Sequence, residues 1–337
     1  MKQKILKYSL LTTILGVTIW SCKKEQTTTA TQTIPTNQIT VLNSNNRSNG
    51  MVLSFPDMNT FKETVEDLEN QVEYLDNNFI NTYSHLSEDE INVIEEEIGF
   101  NENQPLIDFE NQHGFSSLRA KIDEESEIYN QIEYPSEDII DPDDDVIFDD
   151  NIRTVLNIHH EVIINDTMYR INQDGSYLRI DTVDLELLSS TRGSGSNSSN
   201  FWSNFPKVSL HSRKDSTTSC GRNREAKKKE SGNYRIKWMM KLYNLPWDGG
   251  LKLRVKGYKK KKKRWKKYRS YCEVAWKGKF CDKDGDLTLG DNNWTPSNRP
   301  NKKKWKWDTD GSTKSKDKII WGSFIAVGIT HIENLDI

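Results

Sequence analysis

The chain has 337 residues, 29% of them charged, with a net charge of −3 and a mean hydropathy of −0.79. That length holds two domains with cores of their own, and aromatic residues at 10% of the total exclude a purely disordered polymer. The small net charge hides a separation: residues 51–190 carry 35 Asp and Glu against 6 Lys and Arg, whereas residues 191–337 carry 35 Lys and Arg against 14 Asp and Glu.

Lys2, Lys4 and Lys7 precede an apolar run from Leu10 to Trp20. The run is too short to span a bilayer as a mature helix and has the form of a signal peptide, residues 1–21. It ends Ile19-Trp20-Ser21-Cys22, an aliphatic residue at −3 and a small one at −1 before a cysteine, the arrangement a lipoprotein signal peptidase requires. Acylation of Cys22 would then anchor the chain, since each buried CH2 contributes about 0.8 kcal/mol. An ordinary secretory signal with an incidental cysteine is the competing reading. Residues 22–50, rich in Thr, Gln, Asn and Ser, hold too little apolar surface to offset ordering entropy and are expected to form a tether.

An acidic domain is expected over 51–187. Phe61, Val65, Leu68, Val72, Leu75 and Phe79 recur at three and four residues, one apolar helical stripe. Ser87-Glu88-Asp89-Glu90 has the form of a capping box opening a second helix through Ile91, Ile94 and Ile98. A third helix is expected from Pro105 to Gln112, stopped at Gly114, and a fourth from about Ser116 to Ile132. Pro135 and the run Asp141-Pro142-Asp143-Asp144-Asp145 break the helical pattern. Beyond it the period falls to two: Glu161–Ile164, Asn165-Asp166, Thr167–Ile171, Asp174-Gly175 and Tyr177–Ile180 predict two linked hairpins.

Phe109-Glu110, His113-Gly114-Phe115, Ser117-Leu118-Arg119 and the run from Glu161 to Tyr169 resemble motifs of uncharacterised lipoproteins of the Bacteroidetes, over roughly residues 51–185. The resemblance implies an outer-membrane address and brings no known activity, so no functional residue is carried over from it.

A Ser/Gly/Asn-rich linker, 188–205, separates this part from a basic domain over 206–337 that holds eight of the ten tryptophans. Tyr234, Ile236, Trp238, Met240 and Leu242 alternate with cations, as do Leu251, Leu253 and Val255, predicting half-buried strands. Lys259–Lys263 is expected at a hairpin tip, with a return strand from Trp265 through Trp276. Ile319–Ile332, apolar on both faces, predicts a central strand. The fold class expected is α+β: a helical domain ending in small antiparallel hairpins, then an all-β sandwich or barrel.

Four groups of residues carry candidate chemistry. Cys220, Cys272 and Cys281 remain after lipidation, and one disulfide among them is expected in an oxidising envelope, with three pairings open. Asp282, Asp284 and Asp286 have the oxygen spacing of a calcium loop, but Leu287 stands where the turn glycine belongs, and a hairpin turn explains the run better. His159 and Glu161, two apart on a strand, begin no recognisable metal site; no metal or other cofactor is expected. Tyr258, Lys259, Lys260, Lys261, Lys262, Lys263, Arg264, Trp265, Lys266, Lys267 and Arg269, with Lys302–Trp307, interleave cations and aromatics. Such a face grips phosphates while its rings stack on a ligand, or else its rings serve the core while its lysines snorkel. For an envelope protein the ligand chemistry expected is lipopolysaccharide or an acidic glycan rather than nucleic acid.

These features predict a non-enzymatic, lipid-anchored envelope protein that binds anionic polymers or protein partners, on either side of the outer membrane. The alternative is a hydrolase of an envelope polysaccharide or peptidoglycan working through unidentified carboxylates.

Overall fold

The computed structural model describes residues 39–43, 51–132, 139–173, 176–181, 208–211, 224–247, 249–282, 285–294, 302–309, 314–315 and 319–336. The signal segment, Cys22 and the 188–205 linker lie outside them. No described helix is long and apolar enough to cross a membrane.

Helices come first and most strands follow, an α+β arrangement. Helix α1 (Met58–Thr82) is capped by Asp57, whose carboxylate accepts from Thr60 N–H at 2.7 Å, and it buries Phe61, Leu68 and Phe79 of the expected stripe. Helix α2 (Glu88–Ile98) opens on the expected capping box, with the Ser87 and Glu90 side chains each accepting from the other's backbone N–H, and closes on left-handed Gly99. Helices α3 (Gln104–His113) and α4 (Leu118–Tyr129) follow, α3 again ending on a left-handed glycine, Gly114. A 3-10 turn (Pro142–Asp144) and a short helix α5 (Asp150–Val155) complete the helical part.

The first sheet has six strands in chain order: β1 (Thr40–Asn43), β2 (Met51–Phe55), β3 (Glu161–Ile164), β4 (Thr167–Ile171), β5 (Tyr177–Asp181) and β6 (Val208–His211). Two features correct the sequence reading. Thr40–Asn43, inside the expected tether, pairs antiparallel with β2, because its backbone finds a partner although its side chains offer little burial. β6 pairs with β5, so by hydrogen bonding it belongs with the first sheet although it follows the Ser/Gly-rich stretch. All five helices form the crossover between β2 and β3, which run parallel with Phe55 opposite Ile164. The β3–β4 hairpin turns at Asn165-Asp166, both left-handed (φ 49° and 55°), as a two-residue turn of the primed type demands.

The remaining strands form two five-stranded sheets. One has the order β10 (Arg264–Lys267), β9 (Gly249–Lys261), β8 (Tyr234–Asn244), β7 (Arg224–Ser231), with β13 (Lys302–Thr309) also on β9. The other runs β12 (Gly285–Trp294), β11 (Cys272–Asp282), β15 (Ile319–Ala326), β16 (Ile329–Asp336), with β14 (Lys314–Ser315) also on β11. Ile236, Trp238, Met240, Leu251, Leu253 and Val255 of the first meet Val274, Trp276, Phe324 and Ala326 of the second in one core. Both sheets are open, which rules out the closed barrel. Gly257 sits where they approach: a Cβ there would lie 2.8 Å from Val327 Cγ1 and 3.1 Å from the Tyr268 carbonyl.

Two expected strands are broken. The return strand from Trp265 to Trp276 divides: Trp265 is in β10, the chain leaves that sheet at Tyr268–Tyr271, and Trp276 is in β11 of the other. Ile319–Ile332 is a hairpin, turning at Val327-Gly328 with φ of 48° and 72°. His159 sits in the turn before β3 rather than on the strand. The described residues, from 39 onward, belong to one compact unit. A ring contact between Phe61 and Trp247, centroids 4.9 Å apart, helps join the acidic and basic stretches.

Candidate functional site

Strands β8 and β9 alternate apolar and cationic residues, so one face presents Ile236, Trp238, Met240, Leu251, Leu253 and Val255 to the core. The opposite face carries Lys237, Lys241, Lys252, Arg254 and Lys256. Alternation predicts this face in water, yet all five cations are buried. The acidic segment from Asp141 to Asp150 lies across them.

Asp141 pairs with Lys237 at 2.5 Å, Asp149 with Lys252 at 3.4 Å, and Asp143 with Lys256 at 2.8 Å, Arg254 at 3.2 Å and Arg153 at 3.3 Å. Backbone carbonyls finish the coordination: Val146 accepts from Lys241, and Phe148 accepts from Arg254 at 2.7 Å. Burial pushes the Asp143 carboxyl up, but Arg254, Lys256 and Arg153 outweigh it and hold the group well below the usual carboxylate range. For Lys256, burial and the neighbouring Arg254 prevail over Asp143 and bring the amine down to about 8. This cation face was missed in the sequence because its partners come from a run that reads there only as a helix breaker.

A small cavity lies beside this contact, lined by Val146, Ile147, Phe148, Asp149, Ile152, Lys241, Leu245 and Lys252. It has room for about one water and holds one carboxylate, already paired to Lys252. It is not the cleft between two carboxylates that glycoside hydrolysis uses.

The expected anion-binding residues divide by position. Tyr258, Trp265 and Arg269 are buried. The Tyr258 ring lies 5.2 Å below Lys237 Nζ and the Trp265 ring 4.1 Å below the Arg235 guanidinium, so both rings are already covered by cations of this chain. Arg269 is 0% exposed. It pairs with Glu95 at 2.6 Å, Asp76 at 2.7 Å and Glu102 at 3.7 Å, while its guanidinium lies 4.8 Å from the Phe79 ring centre. Asn92 holds its backbone from both sides, accepting from Arg269 N–H at 2.8 Å and donating to its carbonyl at 2.9 Å. Burial works against the Arg269 charge, but Asp76, Glu102 and Glu95 more than compensate and raise its pKa. Arg269 is an anchor for the helices.

The rest form a hairpin outside the core. β9 and β10 turn at Lys262-Lys263, both left-handed (φ 57° and 110°). Helix α2 lies against one side: Asp89 pairs with Lys259 at 2.5 Å, and Glu96 pairs with Lys261 and, at 2.6 Å, with Lys266. These pairs are exposed, with Glu96 and both its lysines at 50–54%. Hydrogen bonds from Lys261 and Lys266 hold the Glu96 carboxyl down at about 2. Lys260, Lys262, Lys263 and Arg264 complete the tip, and Lys267 ends β10 opposite Tyr258. Among the described residues no carboxylate pairs with Lys262, Arg264 or Lys267, and all three are exposed. β13 places Lys302–Trp307 along β9, with Trp305 opposite Leu253; its side chains lie outside the described residues.

At the β11–β12 hairpin Asp282 pairs with Gly285 across the strands. Asp284, and the side chains of Asp282 and Asp286, are outside the described residues. Cys272 and Cys281 occupy one extended strand, about 30 Å apart at the usual strand rise, far beyond disulfide reach. Cys272 is a buried thiol with Sγ 3.9 Å from Ser270 Oγ. The Cys272–Cys281 pairing is therefore ruled out, which leaves Cys220 with Cys272 or with Cys281; Cys220 and the Cys281 side chain are not among the described residues. Thiol counting on the denatured, unreduced mature chain should find one free cysteine; three would rule the bond out.

The residues of the Bacteroidetes motifs are structural. Glu110 accepts from Arg119 Nε at 2.8 Å and from Ser117, all buried, and Glu161 accepts from Arg170 Nε at 2.8 Å and from Asn157 Nδ2 at 2.9 Å. No family model matches the chain, and no curated protein matches it. Among solved structures, a DUF4848 family protein from Bacteroides thetaiotaomicron is a distant neighbour, covering 89% of this chain and 100% of its own at 11% identity, with a TM-score of 0.22.

Proposed function

We propose that this chain is a lipid-anchored protein of the bacterial envelope, held at the outer membrane through acylated Cys22, that binds anionic polymers through the tip of the β9–β10 hairpin. In this reading residues from β7 onward act as one β-sandwich unit that carries the tip. The observation that supports it is the group Lys262, Arg264 and Lys267, exposed cations of a hairpin whose rings are committed to the core, with no carboxylate partner among the described residues. With the rings covered, the ligand chemistry is that of phosphate or carboxylate groups, as on lipopolysaccharide or an acidic glycan, and stacking plays no part. Contacts of this type release counterions and weaken steeply with salt.

The anchor is tested by Cys22→Ala. The variant should take up no fatty-acid label in growing cells and remain a precursor or a soluble product; equal labelling would sink the lipoprotein reading. The same cells supply the binding test: changing Lys262, Arg264 and Lys267 together to Gln should cut heparin retention at low salt, and unchanged retention would return these residues to plain surface.

A further inference from the structure

Helix α2 presents Asp89 and Glu96 seven residues apart, two helical turns or about 10 Å on one face, and both meet lysines of the hairpin. The two ends of this contact differ. Arg269 and Asn92 fix the helix through buried groups, whereas Glu96 is half exposed and its lysines are equally so. Glu96 also spans the hairpin, taking Lys261 from β9 and Lys266 from β10. Lys262, Arg264 and Lys267, which have no carboxylate partner among the described residues, neighbour these two lysines in sequence and across the strands.

We infer that the Glu96 carboxylate is a built-in competitor of the anionic ligand, occupying Lys261 and Lys266 until a polyanion displaces it. This rests on the hairpin-binding reading above and adds its regulation. A ligand that engages Lys262 and Arg264 first gains two more cations by exchanging its own anionic groups for Glu96. No backbone change is needed, because Arg269 keeps α2 in place. Exposed ion pairs are individually weak, so a multivalent anion at high local concentration wins the exchange and an isolated monovalent one does not.

The test uses the full mature chain with heparin as the probe, at low ionic strength and across a salt series. Glu96→Gln should bind about 3- to 30-fold more tightly than the unaltered protein, with a salt slope steeper by roughly one to two ions. Glu97→Gln makes the same change in net charge one residue further on, at an exposed side chain with no hairpin partner, and should stay within about 2-fold of the unaltered protein on the same scale. Equal gains from Glu96→Gln and Glu97→Gln would overturn the competition and leave hairpin binding standing. Absence of heparin binding by all three proteins would overturn both.

Discussion

Asp143→Asn is expected to destabilise the fold by about 3–5 kcal/mol, the range for breaking a buried ion pair by removing one partner. The amide keeps the shape and an acceptor oxygen but leaves Arg153, Arg254 and Lys256 buried with their shared counter-charge gone. In thermal denaturation that is a fall in Tm of roughly 4–7 °C for a chain of this size. The effect depends on pH with a fixed sign. The folded Asp143 carboxyl titrates well below its ordinary value of 3.8, so its contribution is complete above that value and is lost as the pH falls beneath it. The gap between variant and parent should therefore be full at pH 7 and close in strong acid. A Tm within about 1 °C of the parent at pH 7, under 1 kcal/mol by the same scaling, would show that the acidic segment is not held by these charges.

Arg269→Met should cost a similar amount, about 3–5 kcal/mol, for the mirror-image reason. Methionine preserves contact with the Phe79 and Phe100 rings, so the deficit reports the stranded carboxylates of Asp76, Glu95 and Glu102. Those three carboxylates are then left close together without the cation they share. The deficit should shrink as the pH is lowered from 7 towards 4. Arg269→Lys should recover only part of it, because one ammonium cannot reach three carboxylates and cover a ring at the same time. A deficit independent of pH would assign the loss to packing.

Local pattern was enough to place α1, α2 and the β3–β4 hairpin. The stripe from Phe61 to Phe79, the Ser87–Glu90 box and Asn165-Asp166 each determine structure through neighbours within a few residues. Val327-Gly328 is also local, and Gly328 was the signal available for it, but the apolar run on either side masked the turn. What alternation leaves open is the fate of the second face. Leu251-Lys252-Leu253-Arg254-Val255-Lys256 states that two faces differ and is silent on what covers the charged one. The answer lies in Asp141–Asp149, more than a hundred positions away in the case of Asp143 and Lys256. The same holds for the hairpin: the sequence singles out its cations, but only the folded chain separates buried Arg269 from exposed Arg264. Their partners, or lack of them, come from helices that no spacing rule connects to the hairpin.

The separation between Asp143 and Lys256, 113 residues, has a consequence for the order in which the protein is assembled. Synthesis at about 5–20 residues per second delivers the carboxylate roughly 6–20 s before the amine. By then strands β2 to β5 and all five helices have left the ribosome, and each can form with partners already made. Through that interval Val146, Ile147 and Phe148 lie beside aspartates whose charge Arg153 offsets only in part. The basic strands thus arrive at a surface already shaped and already of opposite sign, and β8 and β9 have a template for their charged face before β11 exists to cover the apolar one.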